Sequence, residues 1–205
     1  MLKRKKGKGF SLIELLIVVA IIGIIAAIAI PNLLSAIQKG RQKRTMGDMK
    51  SLGTAIETVQ TDCSAYPSDT NVGADCATPG TLMKGLAKGG WLQNPIVCDG
   101  WRTLFRYGDA AETGGTTVTI SDPNCLAVFT DWQNTYGLLS KGRDVTEDCG
   151  MPKFNAATGA YEPAGGAGAT CPTSPPSPCA GFTGFNCDIG FAGGQFVSFP
   201  EGMQK

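Results

Sequence analysis

The sequence contains no histidine in its 205 residues. Nucleophilic catalysis by a Ser/His or Cys/His pair needs an imidazole as the base, and histidine is a frequent protein ligand of zinc. Catalysis by such a pair and metal sites with histidine ligands are therefore excluded. No other grouping of acids and nucleophiles in the sequence resembles a catalytic site, so we expect a protein without enzymatic activity and without catalytic residues.

Charged residues are absent from positions 15–30, and Glu14 is the only ionisable residue between positions 10 and 30. As a helix this longer segment would measure about 31 Å, which matches the ~30 Å hydrocarbon thickness of a bilayer. An excess of basic residues marks the cytoplasmic side of a membrane helix, and five precede this one: Lys3, Arg4, Lys5, Lys6 and Lys8. The rest of the chain is predicted to lie outside the cytoplasm.

The sequence also lacks a Cys-x-x-Cys pair, the spacing of many zinc sites and of thioredoxin-like redox sites. All eight cysteines follow the apolar segment: Cys63, Cys76, Cys98, Cys125, Cys149, Cys171, Cys179 and Cys187. An even number of cysteines in an extracytoplasmic segment is typical of disulfides. We expect these cysteines to be paired, and their spacing leaves the pairing open.

Glu14 is unusual because a carboxylate in an apolar membrane helix costs about 2.5–3.5 kcal/mol near the bilayer centre. Such a residue usually has a partner or a function, and no cation lies within the predicted helix. Residues 8–31 read KGFSLIELLIVVAIIGIIAAIAIP. Over its whole length this segment resembles the amino-terminal segment of type IV pilins and type II secretion pseudopilins.

The resemblance implies that a membrane-embedded prepilin peptidase removes the basic leader, residues 1–9, by cutting after Gly9. Phe10 would then become the N-methylated first residue of the mature chain. The resemblance also implies that Glu14 pairs with the terminal amine of a neighbouring subunit when subunits assemble into a helical filament. An unpaired buried charge is costly and a matched one is tolerated, so such a pair would fix the register of addition.

Two other interpretations of the amino-terminal segment are open. In a secretory signal peptide, the residues Ala27, Ile28 and Ala29 would imitate the cleavage site, although the apolar core of such peptides is commonly only ~7–15 residues long. In a plain single-span anchor, Glu14 would simply lie near the interface. Neither interpretation accounts for Gly9, Phe10 and Glu14 together.

A proline directly follows the apolar segment and predicts a helix kink at Pro31. We interpret residues 10–30 as a transmembrane and filament-core helix and residues 31–63 as an amphipathic stalk helix. Apolar residues recur at helical spacing late in the stalk and are predicted to pack on a sheet: Met49, Leu52, Ile56 and Val59. A basic cluster precedes them: Lys39, Arg41, Lys43 and Arg44. One interpretation is a contact with lipid headgroups or with acidic neighbours in a filament, and the other is a solvated helix face.

Residues 64–150 are predicted to form a globular head. Within it, residues 94–107 resemble the Asp-Pro-Trp-Gly segment of type II secretion major pseudopilins, with Gly100 in place of the proline and Arg102 in place of the glycine. The residue pattern predicts strands at 104–107, 116–120 and 126–129, and a short helix at 82–86.

Residues 136–144 resemble the last strand and loop of these pseudopilins, which in many members end in Ser-x-Gly-x-Asp-Gly, and Val145 replaces the final glycine. That loop binds calcium in several members. One interpretation is therefore a calcium site with oxygen ligands drawn from four residues: Ser140, Asp144, Glu147 or Asp148. The other interpretation is a solvated surface turn, because Gly137 stands where the family has a supporting aspartate.

Residues 151–205 have no counterpart in the shorter major pseudopilins. This carboxy-terminal extension is rich in glycine, proline, serine and threonine, yet it contains three cysteines and five phenylalanines after position 180. One interpretation is a segment stapled against the head, and the other is a partly disordered end.

We therefore predict an α+β fold, in which a long amino-terminal transmembrane and stalk helix packs on a small antiparallel sheet, with a disulfide-rich irregular carboxy-terminal region. The predicted function is a structural subunit of a type IV pilus-like or type II secretion filament, made from inner-membrane monomers. Two alternatives are a minor, tip-located subunit that acts in adhesion or binding, and an enzyme on a membrane anchor.

The resemblance names the partners of such a subunit: other copies of itself, the prepilin peptidase, an inner-membrane assembly platform and membrane lipid. We expect no cofactor besides the calcium considered above. Of the 18 basic residues five precede Phe10, which leaves 13 against 17 acidic residues in the mature chain. This weakly acidic composition gives no reason to expect nucleic-acid binding.

Overall fold

The computed structural model describes residues 9–110, 118–146, 149–162, 177–178, 185 and 187–199. It consists of two compact units, residues 1–39 and residues 40–205. The helices of the described part are α1 (Leu12–Cys63), α2 (Thr81–Lys88) and α3 (Pro123–Leu126). Its strands up to residue 140 are β1 (Tyr66–Pro67), β2 (Gly73–Asp75), β3 (Thr78–Pro79), β4 (Arg106–Gly108), β5 (Trp132–Gln133) and β6 (Gly137–Ser140). The later strands are β7 (Lys153–Asn155), β8 (Ala160–Glu162), β9 (Ser177–Pro178), β10 (Ile189–Ala192) and β11 (Gln195–Phe199).

The first unit contains the apolar part of α1. Within the described residues, α1 is the one helix that is long and apolar enough to cross a membrane, by length and composition. Its large side chains are exposed all round, as Leu12, Val18 and Ile24 illustrate. A helix that is hydrophobic on every side suits a lipid or helix-packed environment. Pro31 lies inside α1, which is helical on both sides of it, and the kink stays a prediction.

In the second unit, the later part of α1 supplies one wall of the core. The four residues predicted from their spacing are fully buried, which confirms that prediction: Met49, Leu52, Ile56 and Val59. Gly53 lies on the same side of the helix, where a Cβ atom would come within 2.8 Å of Phe191 Cδ1 and 2.9 Å of its Cζ. The absence of a side chain at Gly53 therefore lets the ring of β10 approach the helix closely.

A five-stranded sheet forms the opposite wall, in the order β4, β6, β10, β11 and β9. The β4, β6, β10 and β11 pairings are antiparallel, and β9 runs parallel to β11. Gly193 and Gly194 connect β10 to β11 with φ of 56° and 77°. Positive φ at both central residues is what a two-residue hairpin turn of the favoured type requires, so two glycines suit it.

The carboxy-terminal segment is thus built into the head. Ile189 of β10 pairs with Ser140 of β6, so a strand from beyond residue 150 lies in the middle of the sheet. Ile189, Phe191 and Val197 are buried in the core. Consequently β6 is not the last strand of this chain, although it resembles the last strand of shorter pseudopilins.

Three secondary-structure predictions need correction. The strand predicted at 126–129 is wrong, because α3 and a turn occupy this region. Asp122 caps α3 by accepting a hydrogen bond from Asn124 N at 2.8 Å, and Pro123 occupies the first turn. This Asp-Pro start signal prevails over strand propensity.

The strand predicted at 104–107 is displaced to β4, while Leu104 forms an isolated bridge with Cys98. Of residues 116–120, the first two lie outside the described residues and the remaining three form no strand. The helix predicted at 82–86 is confirmed as α2, and so is the α+β class.

Disulfides join distant parts of the head. Cys63, at the end of α1, is bonded to Cys125 in α3, and Cys76 is bonded to Cys98. Cys149 and Cys187 are also disulfide-bonded, and Cys171 and Cys179 lie outside the described residues. Each cross-link limits the freedom of the unfolded chain and typically contributes about 2–4 kcal/mol.

Candidate functional site

The predicted processing site lies at the beginning of the described chain. Gly9 and Phe10 precede α1 and are exposed, and a Cβ atom on Gly9 would meet nothing within 4 Å. The basic leader before them lies outside the described residues. The Gly9–Phe10 peptide bond thus lies outside regular secondary structure, between two exposed residues, where a peptidase can reach it.

Glu14 has a local partner that our sequence analysis missed. The Ser11 backbone N–H donates to Glu14 Oε2 at 2.9 Å. Ser11 is the residue before α1 and Glu14 is the third residue of the helix, so this is one half of a capping box. The Ser-x-x-Glu spacing was visible in the sequence. The second carboxylate oxygen, Oε1, makes no hydrogen bond within the described residues. It can therefore accept one from a neighbouring subunit.

A second polar site centres on Asp99, which is 4% exposed. Its Oδ1 accepts hydrogen bonds from Trp101 N and Thr103 N, both at 2.9 Å, and its Oδ2 accepts one from Ser140 Oγ at 2.7 Å. Burial raises the pKa of Asp99, and these hydrogen bonds oppose the rise. Asp99 therefore joins the turn before β4 to the buried end of β6.

Gly100 joins the same turn to the stalk. Its N–H donates to Thr45 Oγ1 at 2.9 Å, and Thr45 Oγ1 donates to Arg41 O at 3.0 Å. A Cβ atom on Gly100 would also lie within 2.9 Å of the Arg41 carbonyl carbon. Proline, which the resembled segment has here, lacks the N–H and adds a ring. This contact explains why glycine replaces it.

Of the four residues suggested for calcium, the structure describes Ser140 and Asp144, so the calcium site stays a prediction. Ser140 is fully buried and its hydroxyl donates to Asp99, so it does not fit as a side-chain ligand. Asp144 is exposed in the following turn and accepts from Thr146 N at 3.3 Å. Glu147 and Asp148 lie outside the described residues. Among the described residues no group of three or more acidic or cysteine side chains is placed to hold a metal ion.

A half-buried carboxylate, Glu57, lies among tyrosines in the core. Tyr66 OH donates to Glu57 Oε2 at 3.0 Å, and the Tyr66 and Tyr136 rings lie 4.7 Å apart. Burial, and secondarily Glu57, raises the pKa of Tyr66 and Tyr136, and raises that of Tyr161 to about 12. These phenols stay protonated near neutral pH, so the cluster acts as aromatic packing in which Tyr66 and Glu57 are hydrogen-bonded.

Comparison with known proteins identifies the family from two independent parts of the chain. A prokaryotic N-terminal methylation motif matches residues 4–30, and the family described as type II secretion system protein G matches residues 32–122. No solved structure matches the chain significantly.

Relatives of both filament types are similar to the chain. Type II secretion system core protein G of Pseudomonas aeruginosa is 31% identical over 110 residues, which cover 52% of this chain and 76% of that protein. The Vibrio cholerae protein of the same name is 30% identical over 116 residues, covering 56% and 79%. A type IV major fimbrial protein, FimA of Dichelobacter nodosus, is 54% identical over 116 residues, covering 57% and 62%.

The chain belongs to the family of type IV pilins and type II secretion pseudopilins. Its relatives are structural subunits, and the family implies processing by a prepilin peptidase and assembly into a filament. The apolar α1 and the methylation motif fit a subunit anchored in the inner membrane.

Proposed function

We propose that this protein is a structural subunit of a type II secretion-type filament, stored as an inner-membrane monomer. The first part of α1 would span the membrane with its amino terminus in the cytoplasm, and the head would lie on the opposite side. The observation that carries this proposal is a match to the secretion family that extends beyond the amino-terminal motif and into the head, as far as residue 122. The shared amino-terminal motif alone would fit either machine.

The disulfides support the proposed position of the head. Cys63–Cys125 and Cys76–Cys98 link segments that are distant in sequence, and such bonds persist in oxidising compartments outside the cytoplasm. Fusing alkaline phosphatase after the head tests the topology, because this enzyme is active only where its own disulfides form. An active fusion agrees with an extracytoplasmic head, and an inactive but stably produced fusion contradicts it.

Processing is proposed to occur between Gly9 and Phe10. Mass spectrometry of membrane-extracted protein should show an amino terminus at N-methylated Phe10, and only when prepilin peptidase is present. Because a Cβ on Gly9 would meet nothing, Gly9→Val leaves the structure undisturbed and tests recognition by the peptidase alone. A mature terminus at Ile30 would instead indicate a secretory signal peptide.

The type IV pilus remains a second candidate because of the 54% identity to a fimbrial protein. Deleting the gene distinguishes the secretion filament from the pilus. Loss of exoprotein release with normal surface pili supports the secretion filament, and loss of pili with normal secretion supports the pilus. Abundance in purified filaments then distinguishes a main subunit from a minor tip subunit, which would occur only in trace amounts.

We also propose that the head folds without calcium, because Asp99 occupies the Ser140 hydroxyl, one of the suggested ligands of the ion. Thermal unfolding in calcium and in excess EGTA should give the same midpoint. A midpoint that falls by several degrees in EGTA, and recovers with added calcium, would show that backbone or undescribed ligands bind the ion.

A further inference from the structure

Three residues other than glycine have left-handed backbone in the described part of the chain: Ser64, Arg102 and Val145. Ser64 directly follows α1, and its N–H closes the helix by donating to Gln60 O at 2.8 Å. A left-handed residue at this place is a common helix ending. Arg102 and Val145 lie in turns, with φ of 68° and 62°.

Glycine would adopt these two conformations without steric cost, whereas a Cβ atom makes them unfavourable. For a β-branched residue such as Val145 a positive φ is a true outlier. The turns themselves therefore favour glycine, which is also the residue that stands at both positions in the resembled pseudopilin segments. What requires explanation is the side chain that each position carries.

Neither side chain contributes visibly to the stability of the head. Arg102 is exposed, and its guanidinium makes no hydrogen bond or ion pair within the described residues. Val145 is 54% exposed and lies outside the hydrophobic core. Both side chains thus incur a backbone cost and face outward.

The two turns are held firmly and are joined to each other. Arg102 N donates to Asp99 O at 3.1 Å. The Cys76–Cys98 disulfide anchors Cys98, which directly precedes Asp99. The Asp99 carboxylate binds Ser140, the last residue of β6 and the start of the turn that contains Val145. Their positions are therefore preorganised, which lowers the entropic cost of a contact.

A groove of about 460 Å³ lies beside Arg102, and its other charged lining residues are Arg44, Asp48 and Asp99. Arg44 and Asp48 form an ion pair, and the Asp99 carboxylate accepts hydrogen bonds from within the head. Arg102 is therefore the charge of this lining that has no partner among the described residues. The mature chain as a whole is acidic, with 13 basic against 17 acidic residues once the leader is removed. The unpaired Arg102 guanidinium is therefore complementary in charge to the acidic body of another copy, which the filament supplies at high local concentration.

We propose that Arg102 and Val145 form a contact surface for a second copy of this chain. Arg102 receives a carboxylate of that copy, and Val145 packs against its apolar side chains. The inference rests on the proposed filament function. It explains why each turn retains a strained side chain, since strained residues persist where function requires them.

Glycine variants separate this role from folding. Arg102→Gly and Val145→Gly relieve the strained backbone, so each should raise the unfolding midpoint by about 1–4 °C. Each should also be under-represented roughly two- to fivefold in sheared filaments when co-expressed with wild type, the effect of losing one exposed contact. Lys84→Gln removes another exposed cation and should enter filaments at the wild-type proportion. Glycine variants that also enter at the wild-type proportion overturn the proposal.

A second measurement identifies the occupant. Arg102→Lys keeps the charge and gains an amine that a carbodiimide joins to a carboxylate in direct contact. Filaments mixed from isotopically light and heavy copies should then yield a peptide that links position 102 of one copy to an Asp or Glu of another. Links only within one copy, or none, overturn the contact. Absence of wild-type filaments would instead refute the proposed function, and this contact with it.

Discussion

Replacing Gly53 by alanine tests whether β10 lies on the helix of the head. An alanine Cβ would come within 2.8 Å of Phe191 Cδ1, and closer still to Cε1, so the ring must move. Phe191 is 2% exposed and packs edge-on against Phe196 at a centroid distance of 5.0 Å. Overpacking of this kind costs about 1–3 kcal/mol.

Alanine also favours the helix over glycine by about 0.5–1 kcal/mol, which opposes the overpacking. Gly47 provides the matched control, because it lies in the same helix, is exposed, and a Cβ there would meet nothing within 4 Å. Gly47→Ala should therefore raise the free energy of unfolding by the helix term alone. The difference between the two variants isolates the contact with Phe191, at about 1–3 kcal/mol.

Calorimetry of the detergent-solubilised mature chain gives the required midpoints. Since 1 kcal/mol corresponds to about 2–4 °C for a chain of this size, Gly53→Ala should unfold at least about 2 °C below Gly47→Ala. Phe191→Leu should reduce the penalty of Gly53→Ala, because it removes the ring that is displaced. If Gly53→Ala raised the midpoint as much as Gly47→Ala does, the packing of the carboxy-terminal strand on the helix would be refuted.

Three further predictions concern the polar turn and the disulfides. Asp99→Ala should lower the free energy of unfolding by about 2–4 kcal/mol, because it leaves the buried Ser140 hydroxyl and two part-buried backbone N–H groups without their acceptor. Burial raises the pKa of Asp99, so the folded state binds its proton more tightly than the unfolded state does. The stability of wild type relative to Asp99→Asn should therefore fall as pH rises from the usual aspartate range through the raised pKa, and then level off. Unfolding measured at a series of pH values tests this. Mild reductant should reduce Cys76–Cys98, where Cys76 is exposed, before Cys63–Cys125, where both cysteines are buried. Alkylation of the released thiols and mass spectrometry give the order. The reverse order would contradict the placement of these bonds.

The sequence was informative where a periodic pattern or a specific motif existed. The spacing of Met49, Leu52, Ile56 and Val59 predicted a buried helix face because helical period and core packing act on the same residues. The prediction was wrong at residues 126–129. Apolar composition favoured a strand there, but the preceding Asp122-Pro123 pair starts a helix.

The carboxy-terminal strands were missed for a different reason. Phe191 and Phe196 are interleaved with glycines, a composition that also fits an irregular tail, and only pairing with a strand some fifty residues earlier turns it into a sheet. Such long-range pairing leaves no local signal, although the Gly193–Gly194 pair was a readable hairpin turn. The Asp99–Ser140 bond was likewise invisible, because forty-one positions separate its partners.

The most direct test of the central claim compares Glu14→Gln with Glu14→Ala in cells that also produce wild-type subunits. Glutamine keeps an oxygen that accepts the Ser11 N–H, so Glu14→Gln preserves the helix cap and removes only the charge, whereas Glu14→Ala removes both. The proportion of each variant in sheared filaments is the measurement, with processing at Phe10 and head unfolding as controls. If Glu14 pairs with the terminal amine of a neighbouring subunit, both variants are processed, fold normally and are under-represented to the same degree. Entry of Glu14→Gln at the wild-type proportion would contradict the account, and a defect confined to Glu14→Ala would assign the residue to capping the helix.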